Sequence, residues 1–332
     1  FKCEFCLSAL DKTAWAFDLT QFLAALDGLY QRGARNFKFV DRTFNLKIDS
    51  SLQILEFFLE RLTADLFLHF EVIPDHLPDR LKEMISRFPP GLLQFEIGIQ
   101  TFNPEVQQRI SRRQDNEKSC ANVDWLVKHS HAHLHTDLIF GLPGETLASF
   151  GEGFDRLYAL GADEIQLGVL KRLRGTPIAR HSENYGMLYD AQAPYTVQQT
   201  DAVDAATMQR FTRLARYWDL LANSGRFKQT LPLFLVGPSP FAAFLAFTDW
   251  LWQRTGKTSG LTPENLVDQL FAYLSEIGQE VESVRQSLLA DYLASGARAN
   301  PACLQGLLQG RDKPGATNSS GLVQRQARHN SG

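Results

Sequence analysis

A chain of 332 residues, 44% of them hydrophobic, can bury a sizeable core, and its length suggests one large domain with a smaller one. With 34 Lys and Arg against 37 Asp and Glu the net charge is −3, and the two signs are mixed, so neither nucleic acid nor an anionic membrane has an electrostatic claim on it. No apolar run reaches the roughly 20 residues of a membrane span, and four cysteines are too few for a disulfide framework, which makes a reducing cytoplasm the expected location.

The first element in chain order is the C-x-x-C pair Cys3-Glu4-Phe5-Cys6. Periodicity then predicts an amphipathic helix over 19–32, stopped at Gly33, and a short strand Phe37-Lys38-Phe39-Val40. Helix and strand alternate from there, with a helix over 51–64 and a strand over 66–72. A helix near 81–85 precedes a strand over 92–99, a helix near 123–128 a strand over 133–140, and a helix over 150–160 a strand over 164–170. Five strands too apolar for one wet face, separated by helices, predict an α/β fold with a parallel sheet. Past Arg180 the pattern turns helical, with helices over 204–222, near 241–253, and from the Thr262 cap with Pro263 to about 293. No strand is expected there. The expected domains are 1–185, an all-helical 194–309 and a disordered Gly-, Ser-, Asn- and Gln-rich tail over 310–332.

Parallel sheets gather ligands at the carboxyl ends of their strands, and the polar residues fall there. Asp41 to Asn45 follow the first strand. Glu71 lies in the second, Gln100 ends the third, and Asp137 with Gly141-Leu142-Pro143-Gly144-Glu145 marks the fourth. Each has a plainer reading. Glu71 could be a strand-end charge, Gln100 part of a helix cap near Asn103, and Arg112 a surface partner of Asp115, a kind of pair worth about 0–1 kcal/mol. Asp137 is harder to dismiss, because an unpaired carboxylate beside Leu138-Ile139-Phe140 in a buried strand is costly. His131, His133 and His135 alternate, but neighbours on one strand rarely converge on one metal ion. Cys120 and Cys303 are isolated and read as small core hydrophobes. The C-x-x-C pair alone suits part of an iron–sulfur loop, half a zinc site or a redox dithiol.

Taken together, Cys3-Glu4-Phe5-Cys6, Phe95 to Asn103, Arg112 to Asp115 and Asp137 to Glu145 resemble radical S-adenosylmethionine (radical SAM) enzymes, in the branch that holds oxygen-independent coproporphyrinogen oxidase. Asp41 to Asn45, Leu170-Lys171, Gly175 to Pro177 and the helical tail resemble a narrower set: radical SAM proteins with an amino-terminal cobalamin-binding domain and an uncharacterised carboxyl-terminal one.

The resemblance implies a partial (β/α)₆ TIM-like barrel, here without its first strand. It also implies a C-x-x-x-C-x-x-C loop whose last two ligands are Cys3 and Cys6, with the first two residues upstream of Phe1. It implies a [4Fe–4S] cluster and S-adenosylmethionine as cofactors, cobalamin through an upstream domain, and an electron donor such as flavodoxin or ferredoxin. By the same resemblance Phe5 lies beside the adenine and Gly141 beneath it. Asp41 takes the place of a missing Gly-Gly-Glu segment at the methionyl amine, and Glu71, Gln100, Arg112 and Asp137 contact S-adenosylmethionine. The expected activity is a 5′-deoxyadenosyl radical that takes hydrogen from an unread substrate, with methyl transfer to follow. The rivals are a coproporphyrinogen-oxidase-like decarboxylation and a non-catalytic zinc or redox scaffold.

Overall fold

In the computed structural model residues 2–10, 17–297 and 299–308 are described, so the tail expected over 310–332 lies outside them. The chain divides into two compact units, Phe1–Met208 and Gln209–Gly332. The first is built on five parallel strands in chain order: β1 (Asn36–Lys38), β2 (Phe67–Val72), β3 (Leu93–Gln100), β4 (His133–Phe140) and β5 (Glu164–Val169). Parallel neighbours need a crossover. Helix α1 (Leu19–Gln31) precedes β1, and α2 (Ile48–Leu59) and α3 (Asp79–Ser86) make the next two crossovers. Then α4 (Pro104–Arg109) and α5 (Asn116–His129) link β3 to β4, and α6 (Leu147–Ala159) links β4 to β5.

The period of two sorts the sheet into unlike faces. On β3, Phe95, Ile97 and Ile99 are buried while Gln94, Glu96 and Gly98 are only half-covered. Register carries this across strands, with Phe70 beside Phe95, Phe95 beside Leu134 and Leu138 beside Leu167. Helices cover that apolar face, as Phe58 of α2 does, 5.0 Å from the Phe37 ring; each such ring contributes about 1.5–3 kcal/mol. On the other face Glu71, Glu96, His135 and Glu164 fall in one row, and Gly98, Asp137 and Gln166 in the next. The fold therefore presents a row of ionisable groups towards the strand ends.

Side-chain caps set several helix starts. Asp18, Asp115 and Thr146 accept from the backbone N–H groups of Gln21, Lys118 and Ser149. Asn103 accepts from Glu105 and Val106 to start α4, a helix too short for periodicity to reveal. Past β5 comes a 3₁₀ turn (Pro177–His181), then an antiparallel pair, β6 (Leu188–Tyr189) and β7 (Val197–Gln199). That pair corrects the expectation of no strand after Arg180; two- and three-residue strands are too short for alternation to show.

From Ala205 on the described chain is helical, with α7 (Ala205–Leu221), α8 (Pro240–Thr255), α9 (Pro263–Glu276) and α10 (Val281–Ala294). In the second unit Phe247 and Tyr273 meet at 5.0 Å, and Trp218 and Phe244 at 4.9 Å. The single helix expected from Thr262 to 293 is two. Gly278 at φ 85° turns the chain out of the helix, and Glu280 caps α10 by accepting from Glu282 and Ser283.

Candidate functional site

The cysteine loop turns back on itself, Cys6 N donating to Cys3 O at 3.0 Å. Both thiols are free, Cys3 buried and Cys6 half-exposed. Each sulfur faces an arginine: Arg112 Nη1 donates to Cys3 Sγ at 3.3 Å, and Arg42 Nη1 to Cys6 Sγ at 2.6 Å. Phe5, between them, is half-buried.

Arg112 is buried rather than a surface partner of Asp115. Its guanidinium also donates to Gly98 O and to Gln114 Oε1, the latter at 2.6 Å. Burial opposes its charge, while Cys3, Asp75 and Asp137 favour it. Arg112 thus ties the cysteine loop to the end of β3. There Gln100 stands at φ 70°, an uncommon conformation for a residue with a Cβ, and lays its side chain over Gly98. A methyl at position 98 would strike Gln100 Nε2, and Gln100 Oε1 is buried without a hydrogen-bond partner.

One strand over, Asp137 pairs in register with Gly98. Burial pushes its carboxyl well above the usual range, Glu96 and Glu71 push the same way, and Arg112 pulls back. Its nearest ionic neighbour is His135 Nε2 at 3.7 Å. Glu71 is raised by burial and by Glu96, against Arg42, His69 and Lys38. Glu96 moves down, chiefly through its 3.1 Å hydrogen bond with His69.

Cys3, Arg112, Gln100 and Asp137 therefore meet around the end of β3, with Glu71 and Cys6 joined to that group through Glu96 and Arg42. Asp41 stands apart. Its carboxylate is turned to its own loop, accepting from Thr43 N and Oγ1 at 3.0 and 3.1 Å. Asn45 likewise serves the chain, bridging to Ile73 and His76. Gly141, at φ 86°, lies under Val197 and Met208, and Glu145 anchors its loop by accepting from Thr101 Oγ1 at 2.5 Å and from Ser149.

Sequence reasoning missed Arg42, which had only its strand-end position to mark it. It also missed Glu4, whose partners Arg180 and His181 lie 176 and 177 residues away; only the oddity of a carboxylate between the two cysteines of the C-x-x-C pair could have flagged it. His133 and His135 bind separate partners, Glu164 and Gln166. No set of three or more His, Cys, Asp and Glu converges as a metal site among the described residues. The donors nevertheless suit an iron–sulfur loop with S-adenosylmethionine beside it. Two free sulfurs face arginines, and the Gln100 amide, whose nitrogen lies over Gly98, keeps a buried oxygen without a partner.

Residues 1–157 match the Radical SAM superfamily, and residues 183–329 match a family described as Protein of unknown function (DUF4080). Anaerobilin synthase of Escherichia coli O157:H7 is 35% identical over 94 residues, 28% of this chain and 21% of that protein. Oxygen-independent coproporphyrinogen III oxidase of Paracoccus denitrificans (strain Pd 1222) is 30% identical over 97 residues, 29% of this chain and 21% of that protein. Each match thus spans about a fifth of the relative's length. The cobalamin-dependent S-adenosylmethionine radical enzyme OxsB, solved with aqua-cobalamin and S-adenosylmethionine bound, aligns at a TM-score of 0.50 and 13% identity. The alignment covers 99% of this chain and 56% of that one, a likeness of fold. No helix among the described residues is long and apolar enough to cross a membrane. Strands β1 to β4 of the parallel sheet lie within residues 1–157, the stretch that matches the Radical SAM superfamily, so match and fold agree over that part of the chain.

Proposed function

We propose that this chain carries the catalytic domain of a cytoplasmic radical SAM enzyme, in which Cys3 and Cys6 are ligands of a [4Fe–4S] cluster. The observation that carries this reading is the pair of free sulfurs, each facing an arginine, within the radical SAM domain. Such a cluster, reduced by a flavodoxin- or ferredoxin-like donor, supplies the electron that cleaves S-adenosylmethionine and so generates a 5′-deoxyadenosyl radical. Arg42 and Arg112 donate to the two sulfurs and help fix where they point. Gln100 Oε1 offers an unused acceptor, and Asp137 a carboxylate, for donors on the bound cosubstrate. Phe5 supplies apolar surface for its adenine, whereas the space over Gly141 is taken by Val197 and Met208. The polar sheet face, with His69, Glu96 and His135, suits a substrate rich in hydrogen-bonding groups.

Cobalamin-dependent methyl transfer is the finer reading, supported by the sequence resemblance at Asp41 to Asn45 and along the helical region. A coproporphyrinogen-oxidase-like decarboxylation is the second, supported by the identity to the two enzymes above. The full-length protein, reconstituted anaerobically, should bind about four irons and release 5′-deoxyadenosine when reduced with S-adenosylmethionine. Cys3→Ala and Cys6→Ala should abolish both. Stoichiometric zinc without iron–sulfur absorption would overturn the proposal. Copurifying corrinoid would favour methyl transfer, and turnover of coproporphyrinogen without it the second reading.

A further inference from the structure

Glu4, between the two cysteines, is 4% exposed. Sulfurs that hold a metal have no use for a carboxylate between them, so the sulfurs do not explain it. Its contacts do. Ser111 Oγ donates to Oε1 at 2.6 Å, Arg180 Nη2 donates to the same oxygen, and His181 Nε2 meets Oε2 at 2.8 Å. The backbone is tied at both ends: Glu4 N donates to Ile110 O and Ile178 N to Glu4 O, each at 3.0 Å. Ser111 sits at φ 56°, a strained conformation for a residue with a Cβ, held where its hydroxyl reaches Glu4. The next residue, Arg112, faces Cys3.

We infer that Glu4 is the positioning residue of the cysteine loop, a clamp closed by Ser111 on one side and by Arg180 and His181 on the other. It fixes where the two sulfurs point before any cluster is present. Its purpose rests on the cluster-ligand reading above, but the clamp itself is measurable without a cluster.

Anaerobic alkylation of the full-length apoprotein, followed by mass spectrometry, reads the clamp at buried Cys3, with Cys120 and Cys303 as internal standards. Glu4→Ala should raise the labelling rate of Cys3 about tenfold, the scale of a lost buried charged hydrogen bond, and leave Cys120 and Cys303 at parental rates. Ser111→Ala and His181→Ala should each do less. Adding Ser111→Ala to Glu4→Ala should do nothing further, since the two share one contact. In reconstituted protein Glu4→Ala should release iron to a chelator about tenfold faster and broaden the spin-resonance signal of the reduced cluster, with Glu4→Asp partly restoring both. Parental labelling of Cys3 in Glu4→Ala, or an equal rise at all four cysteines, would overturn the clamp. If Glu4→Ala does not fold, parental labelling of Cys3 in both Ser111→Ala and His181→Ala would do so. A protein that never binds iron would sink the proposed function and leave the labelling result standing.

Discussion

Asp137 shares its sheet face with Glu71 and Glu96, and its raised pKa is a statement about stability as well as binding. A carboxyl whose folded pKa lies above its unfolded value holds its proton more tightly in the folded chain. Its contribution is full below the unfolded value, 3.8, and is lost as pH rises through the folded one. Asp137→Asn should therefore flatten the decline in melting temperature of the apoprotein as pH rises from about 4. Glu71 and Glu145 are raised too, so part of the slope should remain. The same variant should bind S-adenosylmethionine more weakly at unchanged iron content. An unaltered slope would remove Asp137 from the coupled group. Asp137 was legible because a carboxylate stands out in an apolar strand. Arg112 was less so: its sequence neighbours offered a surface ion pair, and only tertiary contact shows it buried against Cys3. Asp41 and Arg42 are adjacent in an exposed loop, and no local rule says which one turns to the sulfur.

At the level of elements, hydrophobic period and cap chemistry specify the five strands and the longer helices, since each buries one face against a neighbour. What escapes is short or broken. Helix α4 depends on one asparagine cap, the β6–β7 pair on main-chain bonds such as Asp190 N to Thr196 O, and the α9–α10 break on Gly278. The turn after β4 is similar in kind. Gly141 combines φ 86° with a Cβ position that Val197 Cγ1 already fills. Gly141→Ala should cost roughly 1–3 kcal/mol from backbone strain alone, and more once Val197 is displaced. Chemical denaturation should show that loss with Cys3 and Cys6 still able to bind iron. A loss below about 0.5 kcal/mol, the range of neutral surface changes, would mean that the loop relaxes freely.

For the molecule as a whole, two compact units imply two folding transitions unless their cores melt together. Asp291 offers a handle on the second unit. It is buried and accepts from Gln229 N, Thr230 N and Thr230 Oγ1 at 3.0, 2.9 and 2.7 Å. Asp291→Ala leaves those donors unsatisfied, at about 1–3 kcal/mol for each that finds no water. Calorimetry should show one transition lowered by several degrees and the other unmoved. A single transition that shifts bodily would make the two units one cooperative block. The unit boundary at Met208–Gln209 falls within α7, in a stretch of continuous helical pattern, so composition alone does not mark it.

Gln100 folded over Gly98 has a consequence for how this protein tolerates change. The two positions cannot vary independently, since any side chain at 98 displaces the amide that the residue at 100 lays across it. A library randomised at both should return Gly98→Ala chiefly in company with a short residue at 100, and glycine at 98 wherever Gln100 is kept. Homologues that carry a larger residue at the first position should have lost the amide at the second. Lineages crossing between those pairs would have to pass through glycine at 98 combined with a truncated side chain at 100. That ordering leaves the end of β3 a single gate in sequence space, the same in both directions, and measured pairwise epistasis of near zero would show the gate to be open.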